Sequence, residues 1–258
     1  MTETVTLDTP AAIAGERDRL KAAVASYGDG AAPFDMAMRR FMMRTFLPFM
    51  TGTKCLQVGC AHGDQTTLLL ERYDDICVLE PEAEFIDHTR ARLGDRVRFV
   101  EGFVETYRPT ERYDCILFSH VLEHVTDPVV ALKALGDLLA PGGKLLIAVP
   151  NAEAPSRRIA VKMGVLDHLE ALSQADIGAG HRRVYRMDTL ERDTRHAGLT
   201  IEKTGGIFYK PLANFQLDAL IGGPLIGDAF LEGCYQLGLE RPTECASLYI
   251  VATRGDAA

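Results

Sequence analysis

Two histidines stand where acid–base chemistry could take place. His120 follows the apolar run Tyr113–Phe118, and His181 lies in the basic stretch "AGHRRVYR". Imidazole is the side chain best suited to take up a proton near neutral pH. We therefore take His120 and His181 as the candidate catalytic residues. His120 could instead line a bound cofactor, and His181 could instead be an ordinary surface-loop histidine.

A second group surrounds His120. On a helix, the spacing of His120, Glu123 and His124 at i, i+3 and i+4 would place all three on one face. Such a face could hold a metal ion, but the donors are of mixed type, and we predict no metal. We expect Glu123 to serve a helix N-terminus and His124 to be a structural hydrogen-bonding residue.

A small-residue turn follows the first apolar run, in "KCLQVGCAHGDQT". Gly59, Ala61 and Gly63 leave the backbone free to approach a ligand, and Glu80 follows 21 residues after Gly59 at the end of "ICVLE", where an acid could bind ribose hydroxyls. A dinucleotide fingerprint needs a small residue where Asp64 stands, and an aspartate would repel a pyrophosphate. The pattern therefore disfavours an NAD-dependent oxidoreductase and favours a nucleoside ligand without phosphates. The alternative is a tight connection that binds nothing.

The elements that must position these residues alternate between strand and helix from residue 54 to residue 151. Asp127-Pro128 predicts a helix start, Glu82–Leu93 predicts a helix, and Pro141-Gly142-Gly143 predicts a turn before the last strand of the block. This pattern is typical of a doubly wound α/β domain. Its five predicted strands are short apolar runs: Lys54–Val58, Ile76–Leu79, Val97–Val100, Tyr113–Phe118 and Lys144–Val149.

Outside this block the character of the chain changes. Helices are predicted over 11–26, 34–50 and 188–197, strands over 199–204 and 247–253, and a helical excursion over 212–239. We therefore divide the chain into an N-terminal helical cap (1–53), a ligand-binding α/β core (54–151), and a cap insertion with the C-terminal completion of the sheet (152–258). Six basic residues concentrate in the insertion and form either a solvated face or a site for an acceptor carboxylate or phosphate: Arg157, Arg158, Lys162, Arg182, Arg183 and Arg186.

Composition bounds the function. The 258 residues are 47% hydrophobic and 25% charged, with a net charge of −8, which disfavours nucleic-acid and anionic-membrane partners. No apolar run approaches the length of a membrane span, and the N-terminal residues are too polar for a signal peptide. The six cysteines show no metal-finger spacing. We expect a cytoplasmic protein with free thiols.

Five ordered motifs carry a family resemblance: "QVGCAHGDQT", "VLEPEAEFI", "VEGFVETY", "YDCILFSHVLEHVTDP" and "LLAPGGKLLIAVPN". Their order and spacing resemble class I S-adenosylmethionine-dependent methyltransferases. The similarity is greatest to the branch with a "vLEHv-dp" signature, which includes ubiquinone-biosynthesis O-methyltransferases and natural-product and glycan methyltransferases. The resemblance implies a mostly parallel seven-stranded sheet with an antiparallel last strand, and S-adenosyl-L-methionine as cofactor.

The resemblance also implies roles for individual residues. Gln57 stands where the family usually has an acid that organises the methionine amino group, and Ala61 stands where it usually has Gly, so we expect weaker cofactor binding than in typical members. The acceptor side would include Tyr27, Arg182, Tyr185 and Tyr209. The cofactor side would include Gln57, Gly59, Ala61, His62, Gly63, Glu80, Pro81, Gly102, Phe103, Val104, Ser119 and His120.

These inferences predict a methyltransferase that acts on a small-molecule or glycan-type acceptor, possibly anionic, and methylates it at oxygen by direct transfer. N- or C-methylation in a natural-product pathway is an alternative, and so is a non-catalytic S-adenosylmethionine-binding partner subunit. A nucleic-acid methyltransferase is disfavoured, because "SHVLEH" stands where an Asn/Asp-Pro-Pro-Tyr motif would follow the fourth strand. The oligomeric state is not predicted.

Overall fold

The structure is a computed structural model that describes Leu7 and residues 9–24 and 31–255. Its helices and strands alternate through the middle of the chain, as the sequence predicts. In chain order they are α1 (Pro10–Val24), α2 (Pro33–Phe46), β1 (Lys54–Val58), α3 (Asp64–Leu69), β2 (Asp75–Glu80), α4 (Ala83–Leu93), β3 (Arg98–Glu101), β4 (Tyr113–Ser119), α5 (Pro128–Asp137), β5 (Leu139–Pro150), α6 (Pro155–Lys162), α7 (Gln174–Gly178), α8 (Met187–His196), β6 (Leu199–Tyr209), α9 (Asn214–Leu220), α10 (Asp228–Glu240) and β7 (Cys245–Arg254).

The strands form one seven-stranded sheet in the order β3-β2-β1-β4-β5-β7-β6. Strands β1 to β5 pair in parallel, whereas β7 runs antiparallel to both β5 and β6. The predicted doubly wound sheet with an antiparallel last strand is therefore confirmed. Chain order reverses between β1 and β4, and the edge beyond the carboxyl ends of such strands is where doubly wound proteins bind ligands.

Both faces of the sheet are covered, which is why its strands read as continuous apolar runs. In β4, Cys115 and Leu117 belong to a core shared with α2 and α10, while Ile116 and Phe118 belong to a second core shared with α5 and α8. The residues of α2 thus pack directly on the sheet, and its buried side chains are Phe34, Met38, Met42, Thr45 and Phe46.

Three local expectations were wrong. Pro141-Gly142-Gly143 is not a free turn but a bulge within β5, where the register against β4 steps from Tyr113–Leu139 to Cys115–Lys144. The excursion over 212–239 is two helices, α9 and α10. Residues 120–124 form a turn rather than a helix, because α5 begins only at Pro128.

Two expectations about the chain as a whole meet the structure. All six cysteines are buried free thiols. Among the described residues, no helix combines the length and the apolarity that crossing a bilayer requires.

Candidate active site

The turn after β1 depends on three residues with positive φ. Gly59, Ala61 and Gly63 have φ values of 78°, 45° and 81°. A Cβ atom on Gly59 would lie 2.6 Å from Val121 Cγ2, and one on Gly63 would lie 2.7 Å from Thr89 Cγ2. The glycines are therefore needed first for the shape and packing of the turn, which we had attributed to ligand approach alone.

Glu80 holds this turn in place from the end of β2. One of its carboxylate oxygens accepts a hydrogen bond from the Cys60 N–H at 2.9 Å, and the other accepts one from the Glu82 N–H at 3.1 Å. Burial outweighs these two bonds and raises the pKa of Glu80. The carboxylate thus joins the turns after β1 and β2 and lies at the switch point of the sheet.

Gln57 occupies the centre of β1 and is 1% exposed. Its Nε2 donates to the Gly59 carbonyl at 2.9 Å, whereas its Oε1 is buried without a hydrogen-bond partner in the structure. A buried amide oxygen without a donor costs about 1–3 kcal/mol. Gln57 therefore offers an unused acceptor beneath the turn.

The turn after β2 and the segment after β3 form the next part of the edge. Pro81 accepts a hydrogen bond from Arg17 of α1 at 3.2 Å, and the guanidinium of Arg17 lies 5.7 Å from the Phe103 ring centroid. Phe103 and Val104 are buried, and the Gly102 N–H donates to the Glu80 carbonyl at 3.1 Å. These four predicted residues, Pro81, Gly102, Phe103 and Val104, therefore lie beside Glu80.

His62 and Asp64 lie on the helix side of the first turn. The His62 ring makes edge contacts with Phe85 at 5.3 Å and with His88 at 4.9 Å between centroids. The carboxylate of Asp64 is paired with Arg92 at 2.5 Å. Asp64 is thus neutralised by a partner, so the repulsion by which we disfavoured a pyrophosphate is weaker than the sequence suggested.

Ser119 and His120 end β4 at the same edge. Ser119 Oγ donates to Gln65 Oε1 of α3 at 2.7 Å. His120 has a φ of 53°, and its N–H donates to the Ala148 carbonyl at 2.8 Å. Its Nε2 lies 3.1 Å from Ser247 Oγ of β7, and its Nδ1 lies 3.4 Å from Glu123 Oε1. The side chain is 37% exposed, so the imidazole is fixed on both nitrogens yet open to a ligand.

Glu123 is fully buried, and neither of its carboxylate oxygens has a hydrogen-bond partner. It does not cap a helix, because Asp127 caps α5 by accepting from the N–H groups of Val129 and Val130. Burial opposes ionisation of Glu123, but nearby histidines, His120 foremost, outweigh it and lower its pKa.

The turn also brings His124 and His181 together, with ring centroids 4.8 Å apart. Burial lowers the pKa of His124 to about 4, against the attraction of Glu123. Burial acts in the same direction on His181, but Asp176, with Oδ1 3.1 Å from Nδ1, overcomes it and raises the pKa of His181. The predicted i, i+3, i+4 face was wrong, since the residues lie in a turn. The group of possible metal ligands is instead Glu123, His124 and His181.

The acceptor-side arginines carry structural contacts. Arg182 bonds Glu16 of α1 at 2.5 Å and the His124 carbonyl at 3.0 Å. Arg183 donates to the carbonyls of Leu122, Val125 and Thr126. Both therefore hold the 122–126 turn and its neighbours, which corrects the expectation that Arg182 faces the acceptor.

The tyrosines divide into three cases. Tyr185 is 2% exposed within the core on the α5 side of the sheet, where it cannot reach an acceptor. Tyr209 ends β6, half-buried, before Lys210. Tyr27 lies outside the described residues.

Three residues of this edge were missed by the sequence analysis: Glu16, Asp176 and Ser247. Each comes from an element distant in the sequence, and no local pattern distinguishes it from other acids and serines. Lys210, which does appear as a cap residue in the sequence, bonds Asn214 at 2.7 Å, and burial lowers its pKa to about 8, against the pull of Asp176.

Known proteins resemble this arrangement at both the sequence and the structural level. A family model described as "Methyltransferase domain" matches residues 34–204. The chain is 25% identical over 169 residues to the ubiquinone biosynthesis O-methyltransferase of Acinetobacter baumannii (63% of this chain, 70% of that protein). It is 29% identical over 107 residues to the trans-aconitate 2-methyltransferase of Rhizobium etli (41% of each).

Solved structures show the same fold. The 1,6-didemethyltoxoflavin-N1-methyltransferase of Burkholderia thailandensis, with its acceptor and S-adenosylhomocysteine bound, superposes with a TM-score of 0.60 at 19% identity (97% of this chain, 92% of that chain). The N-methyltransferase NodS of Bradyrhizobium japonicum, with S-adenosylhomocysteine bound, gives 0.59 at 14% identity (94% and 99%).

Proposed function

Since this chain belongs to the class I S-adenosylmethionine-dependent methyltransferases, we propose that it transfers a methyl group to an oxygen of a small-molecule or glycan-type acceptor. The observation that carries this proposal is His120. It is a partly exposed imidazole at the end of β4, held between Ser247 and Glu123 in a backbone conformation that few non-glycine residues adopt.

The residues at the switch point fit the cofactor. The orphaned, buried Oε1 of Gln57 offers an acceptor to an α-amino group, and the Glu80 carboxylate has lone pairs beyond its two backbone bonds for ribose hydroxyls. The remaining residues that would hold it are Gly59, Ala61, His62, Gly63, Pro81, Gly102, Phe103, Val104 and Ser119.

When bound, S-adenosylmethionine supplies a methyl group already activated by its sulfonium. The chain must then align the acceptor oxygen with that methyl and exclude water, and alignment alone lowers a barrier by about 7–11 kcal/mol. The buried walls at Phe103 and Val104 support exclusion of water on the nucleoside side.

An alcohol or phenol acceptor gains from a base that removes its proton, whereas a carboxylate hardly needs one. With Nδ1–H directed toward the Glu123 carboxylate, Nε2 of His120 carries the lone pair. That nitrogen now faces Ser247 Oγ at 3.1 Å, and an acceptor hydroxyl could take the place of the serine. His120 would thus hold the proton at Nε2, with Glu123 stabilising the imidazolium.

An anionic acceptor would find its cation in Lys210 rather than in the arginines. Arg182 and Arg183 are engaged by protein groups, while Lys210 lies between α2 and α9, 5.6 Å from the Phe34 ring centroid. Tyr209, the neighbour of Lys210 along the chain, remains an acceptor contact in this proposal, as does Tyr27.

One experiment tests both halves of the proposal. Isothermal titration with S-adenosylhomocysteine is carried out on the natural protein, Glu80→Gln and His120→Ala, with Glu202→Gln, an exposed acid on β6, as control. Glu80→Gln should weaken binding at least about tenfold, because one acceptor oxygen becomes a donor facing a backbone N–H. His120→Ala and the control should bind within about twofold of the natural protein.

The same four proteins are then assayed for methyl transfer by mass spectrometry, with a dihydroxybenzoate, trans-aconitate and a primary amine as probes. His120→Ala should lose about a hundredfold or more in rate on the phenolic acceptor, and the natural protein should lose rate as His120 becomes protonated. Methylation of the amine alone would replace O-methylation by N-methylation. Cofactor binding without transfer to any probe, unaffected by His120→Ala, would favour a non-catalytic binding subunit.

A further inference from the structure

Three side chains converge beside the proposed base. One carboxylate oxygen of Glu123, one ring nitrogen of His124 and one ring nitrogen of His181 all lie within 4.8 Å of one another. His181 comes from the segment between α7 and α8, so the cluster exists only because that segment folds over the 122–126 turn. The Arg182 N–H fixes this crossing by donating to the Glu123 carbonyl at 2.8 Å.

The carboxylate in this cluster is unsatisfied. Glu123 is 0% exposed, both of its oxygens lack hydrogen-bond donors, and its contact with His120 Nδ1 at 3.4 Å involves one oxygen only. A buried carboxylate normally pairs with a cation or coordinates a metal, because desolvating an isolated charge is very costly. The second oxygen, Oε2, is therefore available to a positive ligand.

The two imidazoles are held by their other nitrogens. His124 Nδ1 lies 3.3 Å from the Gly180 carbonyl oxygen, and His181 Nδ1 lies 3.1 Å from Asp176 Oδ1, an electrostatic contact with poor hydrogen-bond alignment. Asp176 is itself fixed by Ser173 Oγ at 2.7 Å and by Arg157 at 3.0 Å. Metal-binding histidines commonly have their second nitrogen held by a carbonyl or a carboxylate in this way, which leaves Nε2 for the ion.

We propose that Glu123, His124 and His181 bind one divalent transition-metal ion, with Asp176 and the Gly180 carbonyl orienting the two imidazoles. Two imidazoles and one carboxylate suit Zn²⁺ and its first-row neighbours better than Mg²⁺, which prefers oxygen ligands. Three protein ligands leave a position for water or an acceptor oxygen, as in catalytic zinc sites.

His120 does not belong to this ligand set. Its Nε2 faces Ser247, and its Nδ1 faces Glu123 Oε1. The Glu123 carboxylate would therefore stand between the ion and the proposed base. The proposal rests on the geometry of the three ligands and not on the proposed methyl transfer, so each can fail without the other.

Cobalt provides a direct probe. The full-length protein is freed of metal with a chelator and titrated with Co²⁺, with no S-adenosylhomocysteine present, while visible d–d absorption is recorded. Zn²⁺ is then added as competitor. We expect saturation at one equivalent and displacement of the Co²⁺ signal by Zn²⁺. X-ray absorption of the Zn²⁺-loaded protein should show two imidazoles and no sulfur, which also excludes binding by the cysteines.

Variants locate the site. Glu123→Gln and His181→Gln should each weaken Co²⁺ binding more than about a hundredfold, and Asp176→Asn about 10–100-fold, as loss of an orienting partner does. His120→Ala should bind as the natural protein does, and so should the control His168→Gln, which alters an exposed histidine. Thermal unfolding identifies any variant that fails to fold, and the X-ray absorption result on the natural protein does not depend on the variants.

The absence of a d–d spectrum with millimolar Co²⁺ would overturn the proposal. So would unchanged Co²⁺ affinity in folded Glu123→Gln and His181→Gln. In either case the cluster would instead be a proton-sharing glutamate–histidine group. If metal binds as described while S-adenosylhomocysteine does not, the metal site stands and the proposed methyl transfer fails.

Discussion

Ala61 and His120 show how the site departs from ordinary backbone preferences. Among the described non-glycine residues, positive φ occurs at Ala61, His120 and Phe208, and the first two follow neighbouring strands at the ligand-binding edge. Such conformations cost of order 1–3 kcal/mol and persist only where the surroundings impose them. At His120 the surroundings are Ala148, Ser247 and Glu123, from three different segments.

Gln57 leads to a prediction at this scale. Gln57→Glu should bind S-adenosylhomocysteine at least as tightly as the natural protein, because a carboxylate attracts an α-ammonium more strongly than an amide does. The free protein should become less stable by about 1–3 kcal/mol, since the substitution replaces the donor to the Gly59 carbonyl with a buried oxygen. Thermal unfolding with and without ligand measures both effects, and the variant should show the larger ligand-induced rise in Tm.

Gln174→Glu, at an exposed position that begins α7, is the matched control and should change neither quantity appreciably. Markedly weaker binding by Gln57→Glu would show that β1 does not hold the methionine end of the cofactor.

At the scale of elements, the amino ends of the strands are tied by an acid just before β4. Glu111 bonds Lys54 of β1 and Arg98 of β3 at 2.7 Å each, and also accepts from Tyr113 of β4 at 2.7 Å. Burial opposes ionisation of this carboxyl, but the bonds to Lys54, Tyr113 and Arg98 outweigh it and lower the pKa of Glu111 to about 2. One carboxylate thus joins three neighbouring strands at the edge opposite the site.

This tie makes stability depend on pH. In the unfolded chain the pKa of Glu111 is near the ordinary 4.5, so the folded state favours the ionised form. The stabilisation, about 1–3 kcal/mol, is complete above the unfolded pKa and is lost as pH falls from about 4.5 toward 2. Urea unfolding across this range should show a smaller acid loss in Glu111→Gln than in the natural protein. Glu191→Gln, which breaks an i, i+4 pair on α8, should leave the acid loss unchanged; equal slopes in all three proteins would refute the assignment.

At the scale of the whole molecule, α1 connects the two sides of the site. Glu16 is buried and bonds Arg19 at 2.6 Å and Arg182 at 2.5 Å, while Arg19 also donates to the carbonyls of Gly180 and His124. Arg17, one residue on, reaches Pro81 and bonds Glu101 at 2.6 Å. The helix therefore contacts both the nucleoside side of the edge and the histidine cluster.

Loosening α1 should therefore affect both sides. Glu16→Gln leaves two arginines facing each other without a counter-charge and should destabilise the protein by about 1–3 kcal/mol. Hydrogen exchange should increase in α1 and in the 122–126 turn, and S-adenosylhomocysteine binding should weaken several-fold. Asp18→Asn, an exposed acid on the same helix, is the control. Exchange confined to α1, with cofactor affinity unchanged, would show that the helix does not organise the site.

What the sequence by itself determined is the part of the protein built from local patterns. Apolar runs gave the strands near their observed bounds, Asp127-Pro128 marked the start of α5, and Gly59 with Glu80 marked the first two loops of the ligand edge. Each of these features depends on neighbours within one turn or one strand, so the local sequence carries the information.

Tertiary structure alone decided which distant residues meet. It placed His181 beside Glu123 and His124, assigned Arg182 and Arg183 to holding the chain rather than an acceptor, and put Tyr185 in the core. The roles of these side chains depend on contacts between segments about 60 residues or more apart, such as the Arg182 bond to the Glu123 carbonyl and its pairing with Glu16. Spacing along the chain cannot encode such contacts, because they arise only when sheet, turn and helix pack together.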